Sequence, residues 1–370
     1  MRTLICLLFI LFTLLSMVPS AYAAEPLLPT DLRLNQIQVI GTHNSYKKAI
    51  QPELFVHLIT INPGVSSLDY AHLSMTDQLN LGVRTLELDV YHDPEGGLYA
   101  DPLGNRLLIA AGGEPDPLDD PAGLAEPGFK VLHDADFDFR TWHATLGGAL
   151  DELAAWSDAN PTHVPILLTM NIKQSKGRWP GAVEPARYDE AAFKELDRTV
   201  REHLGSDRLL TPDDVRGDAA SLEAAVLTTG WPMLGDCRGK FLFVLDEGGS
   251  TRATYLRAFP DLEAAAFFTT SPPGEPTAGV LIINNPTRDG ERIRGLVERG
   301  YIVRTRADAG TREARNEDFS RFEAAIASGA HAIKTDYPIP DRRLSEVFVV
   351  RFADGTFVQA NPVTSAPDPE

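Results

Sequence analysis

The chain has 370 residues, with 52 acidic against 34 basic side chains and a formal net charge of −18. Hydrophobic residues make up 43% and charged residues 23%, which excludes a disordered chain, a collagen or a coiled coil. The length allows one large barrel or two ordinary domains. The acidic balance argues against a basic nucleic-acid surface and against docking on anionic lipid by charge alone.

Residues 1–23 read as a secretory signal peptide. Arg2 is followed by an apolar run from Leu4 to Met17 and then by Ala21-Tyr22-Ala23, an A-x-A cleavage pattern. The run is shorter than the roughly 20 residues a membrane-spanning helix needs. Cys6 sits too early in it to be a lipid-attachment cysteine. Cleavage after Ala23 leaves Cys237 as the remaining cysteine, so no intrachain disulfide forms. The expectation is a secreted or periplasmic protein that folds by core packing.

From residue 24 to 345 the pattern alternates. Residues 37–42, 83–91, 129–133, 165–172, 241–245, 264–269, 301–306 and 332–336 are short runs apolar on both faces, as strands of a covered parallel sheet are. Residues 280–284 compete with 264–269 for the sixth place. Helical patterns lie between them. Asp189 stands where it can cap a helix with Phe193, Leu196, Val200 and Leu204 on one stripe, and Leu146, Leu150 and Leu153 or Phe319, Phe322 and Ile326 repeat that spacing. Gly82, Gly300 and Gly329 each stand where a helix closes before a strand. Such alternation predicts an α/β fold, a (β/α)8 TIM-type barrel ahead of a doubly wound sheet.

Two segments break the rhythm. Residues 93–128 are rich in Pro, Gly and acidic side chains, with Arg106 as the single base. In a barrel this insertion follows a strand and belongs over the carboxyl-end face, as a solvated excursion, a substrate lid or a calcium-ordered loop. Residues 346–370 read as a C-terminal hairpin and tail, turning at Asp354-Gly355.

The chemistry collects at strand ends. The first strand closes on His43-Asn44-Ser45. The second places Glu87 and Asp89 on one face, with Arg84 on the other parity. The third ends at His133-Asp134, and the fourth carries Asn171 and Lys173 on one parity. Two buried carboxylates on one face are costly unless a cation neutralises them. Oxygen donors without cysteine favour a hard cation, calcium or magnesium, over zinc. Two histidines beside such an ion suit acid-base work on a phosphodiester. Other readings stay open: Glu87 and Asp89 paired with Arg84 or Lys173, Asn171 as a helix cap, and His92 in place of His133. His57, His72, His143, His163, His203 and His331 read as structural or solvated.

The stretch Ile40-Gly-Thr-His43-Asn44-Ser-Tyr46, followed by Gln78-Leu-Asn-Leu-Gly-Val-Arg84-Thr-Leu-Glu87-Leu-Asp89, resembles the calcium-dependent phosphoinositide phospholipases C, and most closely their secreted bacterial branch. The likeness continues through Phe129-Lys-Val-Leu-His133-Asp134, Pro165-Ile-Leu-Leu-Thr-Met-Asn171-Ile-Lys173, Trp231-Pro, Arg238-Gly-Lys240, Val303-Arg-Thr-Arg-Ala-Asp308 and Thr335-Asp336-Tyr337-Pro338. It implies a barrel of the triosephosphate isomerase type, with His43 and His133 as the catalytic pair. Asn44, Glu87, Asp89 and Asn171 would hold calcium, and Lys173 would contact the substrate. Asn171 falls where eukaryotic relatives place an acidic ligand. The amide removes one negative charge, weakening calcium affinity or leaving the ligand to another residue.

The implied function is cleavage of phosphatidylinositol-type lipids to diacylglycerol and a (cyclic) inositol phosphate. Calcium would lower the pKa of the attacking ring hydroxyl. His43 would stabilise phosphoryl charge or accept the hydroxyl proton, and His133 would protonate the departing diacylglycerol oxygen. The partners are a phospholipid or other phosphodiester and a transient membrane surface, not nucleic acid. The alternatives are a glycerophosphodiester phosphodiesterase, whose first motif pairs His with Arg and Gly where Asn44 and Ser45 follow His43 here, or a non-catalytic calcium-stabilised binding protein.

Overall fold

The computed structural model describes residues 28–29 and 31–365; the expected signal peptide, residues 1–23, lies outside the described residues. The strands are β1 (Ile37–Thr42), β2 (Thr85–Asp93), β3 (Gly128–Val131), β4 (Ile166–Ile172), β5 (Phe241–Leu245), β6 (Phe267–Thr269), β7 (Val280–Ile282), β8 (Ile302–Arg306), β9 (Ala332–Thr335) and β10 (Val358–Ala360). They form two five-stranded sheets, ordered β10-β1-β9-β8-β7 and β3-β2-β4-β5-β6. Strands β1, β2 and β4 to β9 follow one another around the fold in chain order. The ladders within each sheet are parallel apart from those of β3 and β10. β6 stands beside β7 at one junction of the sheets, and β1 beside β2 at the other.

The β1–β2 junction supports the start of the site. Arg84 N–H donates to Ile40 O and Ser45 N–H to Glu87 O, both at 3.0 Å. A Cβ on Gly41 would lie 1.8 Å from the Thr85 carbonyl oxygen, so only glycine permits this approach two residues before His43. β10 pairs antiparallel with the opening half of β1, Ile37 to Val39. Ahead of it the chain turns at Asp354-Gly355, where Gly355 N–H reaches Phe352 O.

Two strand expectations are corrected. Residues 129–133 were assigned to the third parallel strand, yet β3 runs antiparallel to β2, Asp93 facing Gly128. The insertion leaves and re-enters at the same end of β2, and only a crossover could have made the return parallel. The runs at 264–269 and 280–284 do not compete, because both are strands.

The helix Glu190–Leu204 forms as its pattern predicts. Asp189 accepts from Ala192 N–H at 2.9 Å, and Phe193, Leu196, Val200 and Leu204 are buried. Such a cap contributes about 1 kcal/mol. Insertion 93–128 folds around helices Leu103–Ala110 and Pro121–Ala125. It shares a small second core, including Leu54, Tyr99, Leu108 and Leu124, with the helix Pro52–Ile61. Its Asp119 is held by Arg140 at 2.9 Å and Lys48 at 2.7 Å.

Two buried histidines make the fold acid-sensitive. His331 accepts from Val303 N–H through Nδ1 and donates through Nε2 to Asn35 O. His72 donates to the His43 carbonyl oxygen at 2.7 Å. Burial pushes both down to about 4. With the folded pKa below the unfolded 6.5, the unfolded chain takes up protons first as pH falls. Stability is therefore lost between pH 6.5 and 4, by about 3 kcal/mol for each histidine. Thermal unfolding at pH 7, 5.5 and 4 should show a steep fall of the midpoint; a flat profile would contradict the buried neutral rings.

Candidate active site

The side chains at the carboxyl ends of β1, β2, β4, β8 and β9 converge. Asn44 follows β1 with φ of +50°, a left-handed turn that asparagine tolerates better than most residues. Its Nδ2 donates to the Tyr70 hydroxyl at 2.7 Å, while its buried Oδ1 has no hydrogen-bond partner. On β2, Glu87 and Asp89 share a face with Thr169 and Asn171 of β4, their partners in the ladder.

Glu87 divides its oxygens. Oε2 accepts from Arg304, from Lys334 Nζ at 3.0 Å and from Thr169 Oγ1 at 3.1 Å. Oε1 accepts from Asn171 Nδ2 at 3.1 Å and lies 3.5 Å from His43 Nε2. Burial would raise this carboxyl, but Lys334 and Arg304 outweigh it and hold it well below the usual range. Asp89 accepts from the same Asn171 amide at 2.8 Å and pairs with Lys173 at 2.9 Å. Of the two alternative partners for these acids, Lys173 is the one seen on Asp89. Arg84 donates to Leu79 O and Val83 O and lies over the Trp156 ring.

Each of two histidines is oriented by an aspartate. His43 Nδ1 is 2.9 Å from Asp336 Oδ1, and Arg306 reaches Asp336 Oδ2 at 3.1 Å and His43 Nε2 at 3.2 Å. The arrangement assigns the proton to Nδ1 and leaves Nε2 as an acceptor. Burial, and then Arg306, lowers the His43 pKa, so the ring is neutral at pH 7. Burial opposes ionisation of Asp336, but His43 and Arg306 prevail and lower it. His133 Nδ1 bonds Asp138 Oδ2 at 2.8 Å, and buried Lys47 lies 3.2 Å from Asp138 Oδ1. Lys47 also donates to the Tyr70 carbonyl at 2.8 Å, and the Tyr70 hydroxyl lies 3.3 Å from His43 Nδ1. The chain Asp138, Lys47, Tyr70 thus ties one histidine to the other. His92 is elsewhere, stacked on Phe129 with Nε2 3.5 Å from Glu195.

The sequence-derived set is therefore brought together, with one change of route. Only β1, β2 and β4 deliver it from consecutive parallel strands; His133 arrives on the segment after antiparallel β3. Arg304 and Arg306 on β8, and Lys334 and Asp336 at the end of β9, were not predicted together as site residues. Their signal, two charged residues of one parity at the end of a buried strand, is the one that singled out Glu87 and Asp89.

The donor chemistry fits a hard divalent cation. Glu87 Oε1 and Asp89 Oδ1 face the same Asn171 amide nitrogen, and turning that amide would present its carbonyl oxygen instead. Asn44 Oδ1 is a buried acceptor without a hydrogen-bond partner, a donor atom of the kind such an ion takes. Among the described residues no point is ringed by three or more His, Cys, Asp or Glu; the set is two acids and two amides, all oxygen, as calcium prefers.

Strand order and mouth chemistry together define a hydrolase of the TIM-barrel kind. Residues 32–362 match the family described as phosphoinositide phospholipase C, Ca2+-dependent. The chain belongs to that family, whose members are phosphodiesterases dependent on calcium. Its fold is similar to the calcium-dependent phosphoinositol-specific phospholipase C of a Pseudomonas species, at 16% identity and a TM-score of 0.54 over 89% of this chain and 96% of that one. The Streptomyces antibioticus Ca2+-dependent phosphatidylinositol-specific phospholipase C is similar at 20% identity and a TM-score of 0.50, over 87% and 99%. A search of curated proteins gives no match.

Proposed function

We propose that the protein is a secreted phospholipase C that cleaves phosphatidylinositol-type lipids by acid-base catalysis with His43 and His133. The observation that carries this reading is the pair of aspartate-oriented histidines beside the oxygen set of Asn44, Glu87, Asp89 and Asn171. Calcium, when bound there, supplies positive charge that lowers the pKa of a ring hydroxyl and offsets the charge of the phosphate.

The chain's own residues do the rest. His43 Nε2 accepts the proton of the inositol hydroxyl that attacks phosphorus. Asp336 stabilises the imidazolium that results, and Arg306 sits where charge grows on the phosphoryl oxygens. The bond to the glycerol oxygen breaks as His133 protonates it, with Asp138 holding that ring. Diacylglycerol leaves, and the new oxygen–phosphorus bond closes a cyclic inositol phosphate. Lys173, now on Asp89, would turn to the phosphate.

Membrane contact is supported by the rim. Leu73, Trp142, Trp179 and Ile339 are exposed, and Leu73 and Ile339 line a pocket of about 180 Å³ that Asp336 also borders. Among the described residues no helix is long and apolar enough to cross a membrane. Export rests on the pattern of residues 1–23.

A panel of phosphodiesters, assayed with calcium and with a chelator, tests the proposal. Diacylglycerol from phosphatidylinositol, formed only with calcium, is the expected result. Glycerol phosphate from glycerophosphodiesters would favour the alternative phosphodiesterase, and calcium binding without any turnover would favour a binding protein.

A further inference from the structure

The oxygen set is short of charge. Glu87 is already bonded by Arg304 and Lys334, Asp89 by Lys173, and position 171 is an amide. Two carboxylates matched by three cations hold a divalent ion poorly, because ligand charge largely sets calcium affinity.

One unused acid stands beside them. Asp246 is the first residue past β5, and its N–H donates to Met170 O at 2.9 Å, continuing a ladder whose last pair is Met170–Leu245. Asp246 is therefore next to Asn171 as Asn171 is next to Asp89, a row of three residues across adjacent strands that share a face. Arg304 confirms the direction. Its Nη2 bonds Glu87 and its Nη1 lies 4.0 Å from Asp246 Oδ2, so both carboxylates face one guanidinium inside the barrel mouth. Among the described residues no side-chain donor is within hydrogen-bond distance of the Asp246 carboxylate. The neighbouring Glu247 is committed, accepting from Ile172 N–H at 2.7 Å.

We infer that Asp246 is an acidic calcium ligand of this chain, carrying on β5 the negative charge that Asn171 does not supply on β4. The inference rests on the calcium reading above. The buried, unpartnered Asn44 Oδ1 is the independent sign that a cation belongs at this mouth, and the Asp246 carboxylate would give up no side-chain hydrogen bond on turning to it.

Calorimetric titration of chelator-stripped protein with calcium alone decides it. Asp246→Asn should weaken binding by about tenfold or more. Glu247→Gln, which replaces the neighbouring carboxyl, should stay within about threefold. The double variant Asn171→Asp/Asp246→Asn should return to within about threefold of wild type. Far-UV circular dichroism in chelator checks each fold, and Asp246→Ser replaces the amide variant if that one is disturbed. Wild-type binding by Asp246→Asn, or an equal loss in Glu247→Gln, would overturn the assignment while leaving calcium dependence intact. A wild-type chain that binds no calcium would overturn both.

Discussion

Replacing His43 by alanine is expected to slow phosphatidylinositol cleavage by about 10² to 10⁴-fold, the range for a lost acid-base group, with the fold retained. The imidazole bonds Asp336, Arg306 and Tyr70, and each keeps another partner. Asp336 still pairs with Arg306, and its N–H still donates to Asp308 at 3.0 Å. The backbone at 43 stays anchored by His72. His133→Ala should fall in the same range, whereas His92→Ala should remain within about threefold, because that ring packs on Phe129 outside the mouth. Initial rates at saturating calcium make the comparison. An active His43→Ala, or a collapse confined to His92→Ala, would contradict the assignment.

Lys334→Met should produce the largest loss of stability. The side chain is fully buried in the barrel, and its ammonium bonds Leu86 O at 2.7 Å, Glu87 at 3.0 Å and the Thr169 hydroxyl. Burial lowers its pKa and Glu87 works against that; charge in this place is costly on its own and tolerable only with its partner. Removing it takes a donor from the Leu86 carbonyl and leaves Arg304 as the one cation hydrogen-bonded to Glu87 among the described residues. Breaking one side of a buried ion pair costs about 3–5 kcal/mol. Urea unfolding read by fluorescence should show that shift, and a change below about 1 kcal/mol would mean that Arg304 suffices.

The barrel was legible because its strands are covered on both faces. Residues 37–42 and 241–245 match β1 and β5 end to end, since continuous apolar runs bounded by turn residues admit few other placements. Glycines 82, 300 and 329 end their helices at positive φ, as their positions suggest. The direction of β3 was not legible. An apolar run reads the same in parallel and antiparallel pairing, and only the path of the insertion decides. His43, Asn44, Glu87, Asp89 and Asn171 could be grouped because they follow one another on early strands. Arg304, Arg306, Lys334 and Asp336 come from β8 and β9, near the other end of the chain, and only closure of β9 against β1 brings them to the mouth; a sequence shows no such adjacency until the barrel is assembled. Asp138 and Lys47 were hidden differently: their role appears only through the histidine that one of them orients.

The acidic net charge takes a particular form at the mouth. Glu87, Asp89 and Asp336 are each matched by lysine or arginine, so anionic lipid meets paired charges rather than bare carboxylates. A bound cation would tip that balance toward the phosphate.

Phosphorus-31 NMR of phosphatidylinositol vesicles incubated with the purified protein tests the central claim most directly. With calcium, the lipid phosphodiester signal should be replaced by that of a cyclic inositol phosphate, and with a chelator it should persist unchanged. Conversion at equal rates in both samples, or no conversion in either, would contradict a calcium-dependent phospholipase C.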